Sequence, residues 1–303
     1  MTTSSKLALA EGTCVSGKWN KNKYEIVRLL GEGANGQVYL VRSGKAHYAM
    51  KIGSDSIDSQ LEVNALRSLS RGSDNGPYLL DADDYTMHNR DYPFYVMNYV
   101  KGVHPSIFLQ KNGMDWFELI HYDVLKQLVQ LHRKGYIFGD LKADNVLVSE
   151  HGKIELIDFG GVTAKGRSVK QFTEVYDRGY WSAGSRKADE AYDLFAFAVL
   201  CLQLGDSRNR LTDFFRSLPQ NRSLDDLVAL IDDSDRCRRF KPFLLKALNG
   251  GYTSSRDAVQ EWRTLMLRNG TSTGSRKRAI WIQAAFAVSL LLFASTLYFY
   301  LQS

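Results

Sequence analysis

Apolar and polar positions alternate in short runs over the first third of the chain, and from about residue 115 the period lengthens to three and four. Alternation suits a half-buried strand, whereas the longer spacing keeps one face of a helix apolar. "LLGEGANGQVYLV" predicts two strands joined through a turn holding Gly31, Gly33 and Gly36, with the second strand continuing through Val38 to Val41. "HYAMKI" predicts a third strand, and "FYVMNYVKG" a buried one ending in Gly102. Between them "DSQLEVNALRSL" has helical spacing at Leu61, Ala65, Leu66 and Leu69. Residues 115–135 predict a helix stopped by Gly135. "VLV" and "KIELI" predict a short hairpin, and the pattern after residue 185 is helical to 267. Residues 1–23 read as a loose extension, and the absence of a 20- to 50-residue period excludes a solenoid.

The last apolar run is different in kind. Ala279 to Leu301 holds 23 residues without a charge, which as a helix measures roughly 34 Å, enough to cross a bilayer. Trp281 near one end and Tyr298 with Tyr300 near the other suit the two interfaces, and Arg276, Lys277 and Arg278 precede the run. Basic residues stay on the cytoplasmic side, so the expected arrangement is a single-pass tail anchor in the cell membrane with the preceding residues in the cytoplasm. Residues 268–278, "RNGTSTGSRKR", read as a flexible basic linker, and only Gln302 and Ser303 follow the span. No apolar signal region opens the chain.

With 303 residues, 44 % of them hydrophobic, the chain can bury a sizeable core. Cys14, Cys201 and Cys237 are scattered and odd in number, which argues for a reducing compartment and against a disulfide frame or a zinc site.

The candidate chemistry lies in "GDLKADNVL" at 139–147 and "LIDFGG" at 156–161. In-line attack on a γ-phosphate needs a carboxylate to orient the hydroxyl, a cation near the moving charge and oxygen ligands for Mg²⁺. Asp140, Lys142, Asn145 and Asp158 supply these. Upstream, glycines let the backbone lie close over phosphates. A G-x-G-x-x-G match alone also fits dinucleotide-binding folds, but there a helix should follow, and here a strand follows. Lys51 on the third strand suits the α and β phosphates, with Glu62 on the helix as the acid that holds it. "FYVMNYVKG" is expected to form a hinge, with Met97 at its inner end and the backbone of Asn98 to Val100 available to adenine.

On these motifs the chain resembles a bacterial Hanks-type, eukaryotic-like serine/threonine protein kinase over roughly residues 24–267, and within that family the tail-anchored kind of spore-formers. The resemblance implies an α+β, two-lobed fold: a small β-rich N-lobe to about residue 100, a larger helical C-lobe after it, then the membrane helix at 279–301. It implies ATP with Mg²⁺ or Mn²⁺ as cofactors and protein Ser or Thr as acceptors, in keeping with "Asp-Leu-Lys". Asp193 in "EAYDLFAFAVL" is implied as the acid that braces the catalytic loop. Autophosphorylation is implied in the activation segment, where Thr163, Ser168, Thr173, Tyr176 and Ser182 are the hydroxyls on offer.

Two departures stand out. The family's His-Arg-Asp is here Phe138-Gly139-Asp140, so the arginine that grips a phosphorylated loop is missing. The Ala-Pro-Glu that closes the segment is missing too, and packing of Tyr180 and Trp181 is expected to replace its buried ion pair. These departures favour a pseudokinase scaffold as a second reading, and a small-molecule phosphotransferase on the same fold is a third.

The net charge is +6, and two stretches concentrate it. Lys165, Arg167, Lys170, Arg178, Arg186 and Lys187 form one, and Arg236, Arg238, Arg239 and Lys241 the other. They suit solvated faces and an acidic substrate, or else DNA or anionic lipid. His132 reads as a capping or core residue rather than a catalytic one.

Overall fold

The structure, a computed structural model, describes residues 7–270 except 34–35, 54–55, 71–77, 171, 207, 209, 215, 217 and 219–220, together with 286 and 288–290. The first lobe is a six-stranded antiparallel sheet made of β1 (Cys14–Ser16), β2 (Lys23–Gly33), β3 (Gly36–Ser43), β4 (Ala46–Ile52), β5 (Asp81–Met87) and β6 (Arg90–Asn98). Its order is β1-β2-β3-β4-β6-β5, and helix α1 (Ser56–Ser70) crosses between β4 and β5. Alternating apolar residues fill one face, with Tyr24, Ile26, Tyr39, Val41, Met50, Ile52, Phe94 and Val96 buried in a single cluster. On α1 the inward residues are Glu62, Val63, Ala65, Leu66 and Leu69, while Leu61, expected on that side, is exposed.

Residues 7–22 are not loose. β1 extends the sheet beyond β2, and the chain then reaches the opposite edge, where the Lys18 amide donates to the Asp84 carbonyl at 2.8 Å. The buried Asp83 carboxylate accepts the Trp19 and Asn20 amides at 3.0 and 2.6 Å. A Cβ on Gly17 would lie 2.3 Å from Asp83 Oδ2, so only glycine lets the strap pass. Isolated polar residues with no period conceal this element, because its order comes from acids more than sixty residues away.

The second lobe is helical: α2 (Pro105–Asn112), α3 (Phe117–Arg133), α4 (Glu190–Gly205), α5 (Leu211–Phe214), α6 (Leu224–Asp233), α7 (Asp235–Arg239), α8 (Lys241–Leu248) and α9 (Ser255–Gly270). Nearly every residue of α4 from Tyr192 to Leu202 is buried, as expected of a helix apolar on all sides. Each fully buried phenylalanine there contributes about 1.5–3 kcal/mol of transfer free energy. The hairpin expected after the catalytic loop is β8 (Val146–Val148) with β9 (Ile154–Leu156), and β7 (Tyr136–Ile137) pairs with β10 (Thr163–Ala164). Helix α3 carries the stop at Gly135, whose φ is +83°.

β6 ends at Asn98 rather than at Gly102, and 99–102 form the link between the lobes. There Val103 and Val148 exchange both backbone hydrogen bonds at 2.9 Å, and a Cβ on Gly102 would press on the Val148 carbonyl at 3.0 Å. The three cysteines are free; Cys201 and Cys237 are buried and Cys14 is exposed. Residues 279–301 lie outside the described residues apart from Phe286 and 288–290, which are helical. Among the described residues no helix is long and apolar enough to cross a membrane.

Candidate active site

Gly31, Val38 and Lys51 lie on one rung of the sheet: Gly31 pairs with Val38, Val38 with Lys51, and Lys51 with Tyr95. A strand register is enough to place the lysine beneath the glycine turn. At Gly31 and Gly33 no atom of the described residues lies within 4 Å of where a Cβ would stand, so the bare backbone serves no packing against them. Gly36 differs, since its φ is +140° and a Cβ would lie 2.2 Å from the Ile52 carbonyl. Two glycines thus suit a close external group, and the third is needed by the turn itself.

Lys51 is 5 % exposed, and its ammonium donates to both oxygens of Glu62, at 2.8 and 3.0 Å, and to Asp158 Oδ1 at 3.0 Å. Burial opposes the charge on Lys51, but Glu62 and Asp158 outweigh it and hold its pKa above the usual lysine value. Burial dominates at Glu62 and raises its pKa despite Lys51. At Asp158 burial is outweighed by Lys51 and the Gly160 amide, so this carboxyl stays below the ordinary range. Asp158 itself has φ +56° and caps the turn 159–161 by accepting the Gly160 amide at 3.3 Å. A non-glycine residue in the left-handed region is uncommon, and here it aims the carboxylate at the lysine.

The catalytic loop is organised around Asp140, which is buried. Lys142 Nζ lies 2.9 Å from Asp140 Oδ2, and Asn145 Nδ2 donates to the Asp140 carbonyl at 2.8 Å. With its NH₂ so committed, Asn145 presents its amide oxygen as an acceptor. The loop is braced from below by Asp193, whose carboxylate accepts the Phe138 and Gly139 amides at 2.7 and 2.9 Å. Nε2 of the buried His132 sits 2.8 Å from the same carboxylate, so this histidine is a core brace, as expected, and one with a defined partner.

Gly139, where the family has arginine, has φ +81°, and a Cβ there would lie 2.4 Å from the Gly161 carbonyl. The missing arginine is therefore a steric consequence of how tightly 139 and 161 approach. The Ala-Pro-Glu region also departs from expectation. Trp181 is buried and donates to the Val175 carbonyl at 2.8 Å, but ion pairs persist beside it. Asp177, fully buried, accepts from Arg186 at 2.6 Å and from the Tyr192 hydroxyl at 2.9 Å; Arg178 pairs with Asp189 at 2.9 Å. Tyr180 instead carries the Arg186 guanidinium on its ring face.

These pairs also correct the charge count. Of the first basic stretch, Lys165, Arg178 and Arg186 are engaged by Glu190, Asp189 and Asp177. Arg167, Lys170 and Lys187 remain exposed along a two-stranded ribbon in which Ser168 faces Lys187. In the second stretch Arg236 reaches Asp115, Arg238 pairs with Asp235 and Lys241 with Asp232, so local acids offset most of it; Arg239 is exposed. Asp177 and the acids of 232–235 lie within or beside these stretches in sequence, and the fold adds Asp115, Asp189 and Glu190.

Among the candidate acceptors, Thr173 is drawn into the site. Its hydroxyl donates to Asp140 Oδ1 at 2.9 Å and accepts from Lys142 at 3.0 Å, 33 and 31 residues away in sequence, a role its local sequence does not signal. Thr163 donates to the Gly161 carbonyl, Tyr176 is buried, and Ser168 and Ser182 are exposed. Met97, Asn98 and Val100 lie at the lobe junction, with Met97 half-buried and packed on the core.

The donor set fits the expected cofactors. Asp158 and Asn145 offer hard oxygen ligands of the sort Mg²⁺ or Mn²⁺ takes, and a magnesium ion is usually held by one or two carboxylates plus substrate phosphates. Among the described residues no group of three or more His, Cys, Asp or Glu gathers that could hold a metal ion.

Comparison with known proteins agrees with this geometry. Residues 24–232 match the protein kinase domain. Serine/threonine-protein kinase YabT of Bacillus subtilis is 38 % identical over 283 residues, covering 92 % of this chain and 80 % of that protein. Protein kinase C eta type of Homo sapiens is 31 % identical over 169 residues, 52 % of this chain but 24 % of its own length. In shape, the kinase PK-1 of Cydia pomonella granulovirus superposes with a TM-score of 0.59 at 17 % identity, over 78 % of this chain and 93 % of that one; that likeness speaks for the fold alone.

Proposed function

The chain belongs to the protein kinase domain family and is a serine/threonine protein kinase; from that premise we propose a membrane-anchored kinase whose described residues already hold the catalytic arrangement. The observation that carries the reading is the convergence of Lys51, Glu62 and Asp158 from one lobe to the other, within 3.0 Å, beside the Asp140, Lys142 and Thr173 triangle.

Asp140 accepts the proton side of an incoming serine or threonine hydroxyl and orients it, while Lys142 sits beside the developing γ-phosphate charge. Lys51, fixed by Glu62, would face the α and β phosphates, and the bare backbone at Gly31 and Gly33 would admit them. Asp158 and Asn145 would hold the divalent ion, which when bound neutralises phosphate charge. Val38 and the hinge backbone from Met97 through Asn98 to Val100 would take the base. Because all the chemical side chains are present, the kinase reading outweighs the pseudokinase scaffold that the missing arginine and Ala-Pro-Glu favour.

The anchor reading is supported by the uncharged run 279–301 and by Phe286, Val288 and Leu290, which are helical and exposed to solvent, as suits a surface that faces lipid. The exposed ribbon of Arg167, Lys170 and Lys187 suits DNA or anionic lipid as an activating polyanion. One experiment addresses both. The full chain should pellet with membranes and resist salt extraction, and a chain ending at residue 278 should not. Kinase activity of that shorter chain, measured with Mg-ATP and a generic protein acceptor, should rise with either DNA or anionic vesicles. A soluble full chain would remove the anchor, and indifference to both additives would remove the activator.

A further inference from the structure

Behind the catalytic loop, one carboxylate joins three segments that are distant in sequence. Glu190 is the first residue of α4, and its Oε1 accepts from Lys165 Nζ at 2.5 Å. Its Oε2 accepts from both the backbone amide and the hydroxyl of Ser255 at 2.6 Å, and lies 3.4 Å from Nδ1 of His132. Lys165 directly follows β10 in the activation segment, Ser255 opens α9, and His132 lies in the last turn of α3. A carboxylate on the first amide of a helix complements the positive end of its dipole, so Glu190 also caps α9.

His132 carries the connection inward. Its Nε2 is 2.8 Å from Asp193 Oδ2, the oxygen that accepts the Phe138 amide, two residues before Asp140. We propose that Glu190 is a positioning residue for phosphoryl transfer: it holds His132 against Asp193, and thereby the backbone that presents Asp140, while binding the activation segment and α9 to the same point. The proposal rests on the kinase reading and adds a residue that touches neither nucleotide nor acceptor.

The charge balance supports it. Burial alone would strip the proton from His132, but Asp193 and Glu190, both on α4, outweigh burial and raise its pKa above the usual histidine value. The groups facing this pair from other elements are Lys165 in the activation segment and Ser255 with Asp257 at the start of α9. As imidazolium the ring pairs through Nε2 with Asp193 and holds its charged Nδ1 side 3.4 Å from Glu190, a charge contact rather than a hydrogen bond; as neutral imidazole it loses that attraction and the brace slackens. Activity should therefore fall as pH rises through the His132 pKa.

The test follows the His132 imidazole by NMR and kcat against pH, in the full chain in detergent. Glu190→Gln removes a neighbouring anion, so both titrations should move to lower pH by about one unit. At a pH just above the native transition kcat should drop several-fold, with KM for ATP little changed. Lys165→Met removes a cation that opposes the imidazolium, so both titrations should move the other way, to higher pH. A merely structural role predicts no such pair of opposite shifts. Unmoved titrations in the folded variants overturn the proposal, and if Glu190→Gln fails to fold, an unmoved titration in Lys165→Met overturns it alone. An inactive native chain would instead strike at the kinase reading, since the imidazole titration is read without turnover.

Discussion

Replacing Glu62 by Gln removes one charge from the buried set Lys51, Glu62 and Asp158 and keeps the side-chain volume. At 2.8–3.0 Å and an effective dielectric near 20, each ammonium–carboxylate contact is about 6 kcal/mol before the desolvation cost is subtracted. Removing one partner of a buried pair costs about 3–5 kcal/mol when the other is orphaned. Lys51 is not orphaned, because Asp158 remains 3.0 Å away, so the stability loss should sit at or below the lower end of that range. The larger effect falls on function. Freed from Glu62, the ammonium draws closer to Asp158, leaving the α and β phosphates and competing for the carboxylate that would hold the metal. We expect kcat/KM for ATP to fall about 100-fold, equivalent to about 2.7 kcal/mol. Coupled-assay kinetics over a range of Mg-ATP, with thermal unfolding of the same samples, measures both effects. A folded variant within threefold of native kcat/KM would refute the assignment of Glu62 as the group that positions Lys51.

Thr173→Val deletes the hydroxyl between Asp140 and Lys142 but leaves their direct 2.9 Å contact; kcat should fall about tenfold with KM for ATP unchanged, in line with the loss of one or two hydrogen bonds, and an unchanged kcat would show the hydroxyl to be idle. Gly139→Ala places a Cβ 2.4 Å from the Gly161 carbonyl at φ +81°, so chemical denaturation should show a loss of about 1–3 kcal/mol; equal stability would mean that the missing arginine has no steric cause. His121 is fully buried, and burial pushes its pKa down from 6.5 to about 4, so its folded form binds protons less readily than the unfolded chain. Its contribution is therefore fully present above pH 6.5 and lost as pH falls through 6.5 toward 4, up to about 3 kcal/mol. His121→Phe should flatten the dependence of Tm on pH in that window, and an unaltered slope would count against a buried neutral imidazole.

Much of the site was legible because kinase chemistry is read off short stretches. Asp140, Lys142, Asn145 and Asp158 lie within nineteen residues, and the strand alternation that contains Lys51 also dictates that it faces the glycine turn. Asp193 came from the likeness to the family, and in the structure its carboxylate accepts the amides of 138 and 139. Thr173, Glu190 and Ser255 left no local signal, since each acts on a partner more than thirty residues away. The basic stretches were only partly legible: Asp177 lies within the first, but Asp189 and Glu190 lie beyond it and meet Arg178 and Lys165 only after folding.

Periodicity and local motifs thus establish the order of strands before helices, the candidate phosphate-handling residues and the apolar run near the C-terminus, because those properties depend on neighbours along the chain. Folding alone reveals that residues 7–22 close the sheet, that Gly139 excludes a side chain, and that one carboxylate on α4 ties three segments together. Such features are contacts between remote backbones and charges, and their strength depends on distance and burial in three dimensions, quantities that a linear pattern does not encode.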